Sequence, residues 1–284
     1  MAGSSTGEVL VRFETEQVLQ EGRLSLAKRS ADRLYRGIKS SIAIVAFLLI
    51  WELAPRLGIV NVTFLPPLST VLTAWWQLVL SGDLADHLIA SLTRSIGGFF
   101  LAVAVSIPLG LAIGWWKGVA ELLNPLLEVF RNTPALAILP VFILLLGLGE
   151  TSKIAIVFYA CAFPLLLNTI SGVRNVDPLL IKSARSMGLS PVSLFRKVIL
   201  PAAVPTIFVG IRQAGASSIL VLVAAEMVGA KSGLGYLVQY TQFSFQIPQM
   251  YAGILTISVI GLIINYLLVH LERKLTSWKA TFSE

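Results

Sequence analysis
Cysteine occurs once in the chain, at Cys161, and histidine twice, at His87 and His270. One cysteine excludes an internal disulfide, and two isolated histidines leave no spacing that reads as a zinc or redox motif. Cys161 lies inside an apolar run and is expected to be a small buried hydrophobe. Charge is scarce as well: 13% of residues are charged, where a soluble domain carries about 25%. No G-x-x-x-x-G-K-[ST] pattern occurs, and the glycines at 97–98 and 233–235 have neither the lysine nor the strand context of a phosphate loop. The chain is therefore expected to hold no nucleotide, metal or other cofactor of its own. No clustered His/Asp/Glu or Ser/Lys set stands out, which argues against a membrane-embedded enzyme. The first forty residues are polar and of mixed charge, without the form of a signal peptide, so the first apolar run is expected to be an uncleaved anchor.

What is abundant is apolar surface. Hydrophobic residues make up 56% of the chain and the mean hydropathy is +0.81, values of an all-α polytopic membrane protein. The net charge of +7 comes from Lys and Arg at the ends of apolar segments. There they set orientation, and nucleic acid is not an expected partner. Residues 1–37 read as a cytoplasmic tail, in which Leu24, Leu26, Leu34 and Tyr35 give either a weak interfacial helix or a frayed basic flank. A first span is expected over Ile38–Leu57. A surface helix then starts at Ser69 as N-cap and places Trp75 and Trp76 at the membrane–water interface. A second span runs from an amphipathic start near Leu84 to Trp115-Trp116, with small residues for close helix contacts. A third enters near Val119 and leaves near Gly147, interrupted at Arg131-Asn132-Thr133-Pro134 close to the membrane midplane. The fourth and fifth cover Ile154–Gly172 and Ala203–Val228, a polar-aromatic return over 229–248 holds a short helix at Leu234–Tyr240, and the sixth covers Tyr251–Leu271. The transmembrane domain is thus expected to span 38–275, with a short tail over 276–284. The 58–90 stretch carries Asp83, Asp86 and His87 and no Lys or Arg. By the positive-inside rule both termini and the 173–201 loop are cytoplasmic.

That loop, Val173 to Pro205, is too charged to sit in lipid and too ordered to be a plain connector. Asp177 can cap a helix whose first residue is Pro178, and Gly188 ends it. Ser190-Pro191 start a second short helix, with Val192, Leu194, Phe195 and Val198 along one side, which Leu200-Pro201 stops. An exposed Leu194-Phe195 pair at its tip asks for a partner.

The pattern Ala184-x3-Gly188-x9-Val198-x-Leu200-Pro201 resembles the cytoplasmic EAA loop of the membrane subunits of ABC importers. The resemblance covers about residues 40–275. It is closest to aliphatic-sulfonate, taurine and nitrate permeases, on Phe64–Pro67, Arg131–Pro134, Gly147–Lys153, Gly172–Asn175, Gly188–Ser190, Val198–Pro201 and Val223–Glu226. Lys182-Ser183 stand where that motif has Glu-Ala. The resemblance implies a type I importer permease architecture (MetI-like) of about six helices in the bacterial inner membrane. It also implies a second permease copy, two ATPase subunits that bind ATP and Mg, an extracytoplasmic substrate-binding protein and a small anionic substrate. This chain would then be a non-catalytic subunit. Its ATPase-coupling residues would be Lys182, Ala184, Gly188, Leu189, Ser190, Pro191, Leu194, Leu200 and Pro201.

The pathway is expected among the polar residues that a span tolerates least. An arginine at mid-membrane costs about 2.5–3.5 kcal/mol on insertion scales unless paired or hydrated. Arg131 either pairs with Glu128 on the same helix or, with Asn132, Thr133 and the helix start at Pro134, faces a cavity that holds an anion. Arg212, Gln213 and Ser217 form a second patch, in which Arg212 has the option of snorkelling to the cytoplasmic side. Glu226, near the outer end of its span, is expected to bond to the 229–240 return or to act in gating. A self-sufficient secondary transporter or channel is the rival reading. It would need an ion relay or an inverted repeat, and neither is visible.

Overall fold
The computed structural model describes residues 42–275. The expected tails over 1–37 and 276–284, and the start of the first span, lie outside the described residues. Two units form, Met1–Ser69 and Thr70–Glu284.

In the first unit, helix α1 covers 42–56 and belongs to the first expected span. Its end is tied to the segment that follows. Trp51 Nε1 donates to Pro66 O (3.1 Å), and Glu52 accepts the Ser69 N–H (2.9 Å) and Oγ–H (3.0 Å). Ser69 is thus not the expected N-cap. Helix α2 begins one residue earlier, at Leu68, and Ser69 gives its donors to the carboxylate of Glu52.

Every element described beyond Ser69 is helical. The helices are α2 (Leu68–Ser81), α3 (Asp83–Trp115), α4 (Lys117–Arg131), α5 (Ala135–Leu146), α6 (Glu150–Arg174), α7 (Pro178–Ser186), α8 (Pro191–Leu194), α9 (Leu200–Glu226), α10 (Leu234–Phe243) and α11 (Ile247–Leu275). Among the described residues, α3, α6, the run from α8 through α9, and α11 are each long and apolar enough to cross a membrane, and α4 with α5 form a pair bent by 98°.

The bundle is organised by close approach at glycine. A Cβ at Gly98, Gly110 or Gly114 of α3 would lie 2.7 Å from the Cβ of Val157, Thr169 or Val173 of α6, respectively. The two sets rise together, so α3 and α6 run parallel. Gly172 meets Ala203 and Thr206, while Gly210 meets Asn168 and Pro164, so α6 and α9 run antiparallel. Between the three helices lie Ala102, Val157, Cys161, Leu165, Ala214 and Leu222, all buried. Cys161 sits at 0% exposure with its thiol on Ala214 O (3.3 Å).

This geometry also decides what α4 and α5 do. α3 and α6 are parallel neighbours, so the chain between them must return along the bundle. The bent pair makes that return and is a broken span, as expected for 119–147. Glu150 and Glu226 therefore share one end with Arg94, and Trp115, Arg174 and the α7–α8 loop share the other. Trp75 is not a simple surface anchor. It packs beside Leu84, Leu234 and Leu237 and donates to Thr256 Oγ1 (3.0 Å), while Trp76 stays exposed.

The chain does not stop at Leu200-Pro201 either. Residues Phe195–Ile199 form a π turn in which the Leu200 N–H reaches back to Phe195 O, and the helix continues into α9. A proline ring clashes with the carbonyl four residues before it in a regular helix. The wider π turn just before Pro201 makes room for the ring.

Two adjacent glycines test the α3–α6 contact. A Cβ at Gly97 meets nothing within 4 Å, whereas one at Gly98 meets Val157 and the Ile154 carbonyl (2.8 Å). Gly98→Ala should destabilise the purified protein by about 1–3 kcal/mol through overpacking. Gly97→Ala should be neutral or stabilising by about 0.5–1 kcal/mol, since alanine is the better helix former. Thermal unfolding in detergent reads both, and equal effects would contradict the contact.

Candidate functional site
The loop at one end of the bundle is a capped and anchored structure. Asp177 accepts the Leu179 N–H at 2.7 Å, and Pro178 fills the first helical position, where no donor is needed. At the other end of α7, the Gly188 N–H returns to Arg185 O (2.9 Å) and the Leu189 N–H to Ala184 O (3.3 Å). Gly188 has φ +75°, a left-handed helix closure that glycine adopts without strain. Ser190 then accepts the Ser193 N–H (3.4 Å) and opens α8.

Ala184 and Leu194, each 2% exposed, join Val173, Val176, Ile199, Ala203 and Ile207 in one apolar cluster. Leu189 packs against that cluster, as does Phe195, whose ring stands 5.2 Å from that of Trp115. The expectation of an exposed Leu194-Phe195 tip is therefore corrected. These two side chains fasten the loop to α3 and α9. The outward apolar face belongs to Leu179 (68% exposed), Leu180 (51%), Met187 (73%) and Val192 (67%). Lys182, Gly188, Ser190, Pro191 and Pro201 are exposed beside it, and Leu200 is half-buried.

The polar residues of the spans fall into separate places. Arg131 pairs with Glu128 at 2.7 Å on the outside of α4. Asn132 donates to Glu128 O (2.7 Å) and Thr133 to Val129 O (3.0 Å), so both close the last turn of α4. Pro134 precedes α5, and Tyr159 of α6 donates to Phe130 O (3.0 Å). The break thus lies part-way along α6, away from both its ends. Arg212 and Gln213 part company, because neighbours on a helix point about 100° apart. Arg212 turns to Glu272 of α11 (3.2 Å), and Gln213 accepts from Asn168 of α6 (2.9 Å). Ser217 shares the Gln213 face, one turn on.

Glu226 lies at the end of the bundle opposite the loop, at 0% exposure. It receives the Gly235 N–H of the 229–240 return (3.0 Å), as expected, but its main partner is one the sequence reading missed. Arg94 of α3 (2% exposed) donates from Nη1 to Glu226 Oε1 (2.7 Å) and to Ser232 O (2.7 Å). From Nη2 it donates to Glu150 Oε1 (2.7 Å) and Ser232 Oγ (3.0 Å), and from Nε to the second oxygen of Glu150. All five guanidinium donors are used, two of them in a fork on Glu150. Ser91 donates to both oxygens of Glu226 (2.9 and 2.8 Å) and accepts the Leu234 N–H (2.8 Å). His87 Nδ1 accepts the Gly233 N–H (3.1 Å). The first amides of α10 are thereby capped by α3 and α9. A Cβ on Gly233 would strike the Glu226 carboxylate, and one on Gly235 the Val223 carbonyl. The available signal was a lone arginine on the amphipathic start of a long apolar helix, two residues before its apolar part.

Removing one member of a buried ion network leaves the others unpaired, at about 3–5 kcal/mol. Glu226→Ala should cost that much, seen as a lowered unfolding midpoint or loss of folded protein on extraction. Arg94→Met combined with Glu226→Leu should recover part of it. A double variant worse than the sum of the single ones would contradict direct coupling.

Residues 104–277 match the family described as binding-protein-dependent transport system inner membrane component. The chain is 34% identical over 258 residues to a putative aliphatic sulfonates transport permease protein of Bacillus subtilis strain 168, covering 91% of this chain and 94% of that one. It is 36% identical over 251 residues to a taurine transport system permease protein of Escherichia coli K12, covering 86% and 91%. Among solved structures, a chain of the inward-facing MetNI methionine ABC transporter superposes with a TM-score of 0.59 at 19% identity. That superposition covers 66% of this chain and 93% of that one, and shows a shared fold. A broken-span helical bundle of this fold, with a capped and anchored loop at one end and these relatives along most of its length, belongs to the family of binding-protein-dependent transport system inner membrane components and is an ABC transporter permease.

Proposed function
We propose that this chain forms the translocation pathway of an ATP-driven importer for a small anion, an aliphatic sulfonate or taurine, or nitrate, and is moved by a separate ATPase docked on its 173–201 loop. In this reading both termini and the loop are cytoplasmic. Two copies of the chain meet two ATPase subunits that bind ATP and Mg, and an external binding protein delivers the solute. ATP hydrolysis occurs on the partner, because this chain has no phosphate loop. The chain itself supplies geometry: α7 and α8, braced on the ends of α6 and α9, act as a lever on the helices that flank the pathway.

The observation that supports this most is the outward face of Leu179, Leu180, Met187 and Val192 on a rigid two-helix projection. A solvated connector has no need of caps at both ends of α7, an anchor beneath it and an apolar face above it. Lys182, exposed on the same projection, replaces the acid of the resembled motif. The contact it makes there is then electrostatically opposite to a glutamate-mediated one.

The test uses side chains that the fold does not need. Leu180→Asp and Val192→Asp should fold, reach the membrane and lose co-purification with the ATPase and substrate uptake. Gly188→Asp should do the same by straining the left-handed turn. Uptake of labelled ethanesulfonate by this chain alone in liposomes would sink the reading in favour of a self-sufficient transporter.

A further inference from the structure
The bundle exposes two kinds of surface. The outward side of α3 is apolar along its length, with Ile89, Ile96, Phe100, Leu101, Val105 and Leu109 all exposed. Thr93 on that side returns its hydroxyl to Ile89 O (2.8 Å). Such a face suits hydrocarbon. The seam between α6 and α9 differs on its two sides. One side is sealed by α3 through Ala102. On the other side α5 covers only the end near Glu226, where Leu139 meets Ile156 and Ala225. Beyond that cover the seam opens at Asn168 and Gln213.

There Asn168 Nδ2 donates to Pro164 O (2.8 Å) and to Gln213 Oε1 (2.9 Å). Both hydrogens of the asparagine amide are engaged and the glutamine carbonyl is fixed. The Gln213 amide donors and the Asn168 carbonyl oxygen have no partner among the described residues. Gln213 is exposed and stands at the centre of α9 (Leu200–Glu226). Helical spacing puts Thr206 and Ser217 on the same edge. Both are half-buried, and their hydroxyls are likewise without a partner among the described residues. A row of unfilled polar groups at this depth is expensive against lipid and acceptable only against water or protein. The row itself holds no charged side chain, and Arg212, beside Gln213 in the chain, turns away to Glu272.

We propose that the open side of the α6–α9 seam, at Asn168 and Gln213 with Thr206 and Ser217 along the same edge, is a water-lined, charge-neutral stretch of the translocation pathway that takes a small oxyanion by amide and hydroxyl hydrogen bonds. The identity of the solute rests on the function proposed above; the water-lined face does not. Asn265 of α11 is exposed as well, but it is a single amide among Leu262, Ile263, Tyr266 and Leu267, and it serves as a competing position in the test.

The lone cysteine is buried, so Cys161→Ser gives a background for single cysteines at Thr206, Gln213, Ser217, Asn265 and Ile96. Each variant is assembled with its ATPase and binding protein in proteoliposomes. It is then treated with anionic sulfonatoethyl or cationic trimethylammonioethyl methanethiosulfonate, with and without ATP. Thr206→Cys, Gln213→Cys and Ser217→Cys should react at least about tenfold faster than Ile96→Cys in one nucleotide state. The two reagents, each scaled to its rate with free cysteine, should agree within about threefold. Three positions as unreactive as Ile96→Cys, or reaction at Asn265→Cys alone, would overturn the assignment. A tenfold preference for one reagent charge would overturn its neutrality. Gln213→Leu should raise the KM for ethanesulfonate uptake about tenfold, the loss of one hydrogen bond, and Gln213→Asn should restore most of it. An unchanged KM in Gln213→Leu would overturn the recognition role. If the unaltered complex moves no ethanesulfonate, the sulfonate reading falls, and the cysteine pattern still decides whether the seam is wet.

Discussion
Arg94 is the constraint on which the far end of the bundle depends. A guanidinium taken out of water must find an acceptor for each of its five donors, and a buried carboxylate must find donors in turn. Here the fork on Glu150, the bond to Glu226 and the two bonds to Ser232 use every donor. Each acceptor comes from a different piece of chain: the start of α6, the end of α9 and the turn before α10. None can move by itself without breaking a bond to the buried Arg94 guanidinium. The network therefore fixes four elements together and sets the relative height of α3, α6 and α9.

That fixed end gives the rest of the molecule its division of labour. Running down from it, α3 and α6 touch at glycines and α6 and α9 cross back, so the three helices form a stiff wedge. At the other end the α7–α8 loop is held to the same helices by Ala184 and Leu194 and turns an apolar face outward. The loop packs directly on the ends of α6 and α9, through Val173, Ala203 and Ile207, as the proposed lever requires. The π turn before Pro201 makes the second loop helix continuous with α9. Between the two ends runs the α6–α9 seam, which combines rigid apolar packing on its α3 side with unfilled amides on its open side.

Much of this was legible in the chain. The described spans begin and end within about four residues of their expected places, except the fifth, which runs on from α8, because lipid demands long apolar helices and their ends are marked by charge, proline and glycine. The caps of α7 were readable for a local reason: Asp177, Pro178 and Gly188 act on neighbours along the chain. Leu194 was misread as exposed. Its neighbours in the cluster, Val173 and Ala203, lie in other elements, and a short amphipathic helix does not announce which face will be covered. Arg94 was missed for the same reason, since its partners lie 56 and 132 positions away. Arg212 and Gln213 read as one patch because they are adjacent, whereas helix geometry sends them to different neighbours.

By itself, then, the sequence determined the solvent of this protein, its helical class, its span boundaries and the shape of its loop, since each follows from local composition and from hydrogen bonds within a few residues. Only the tertiary structure decided which polar residues neutralise one another and which are left without a partner among the described residues. That choice depends on the parallel and antiparallel register of α3, α6 and α9, and the register is set by close contacts between residues far apart in the chain.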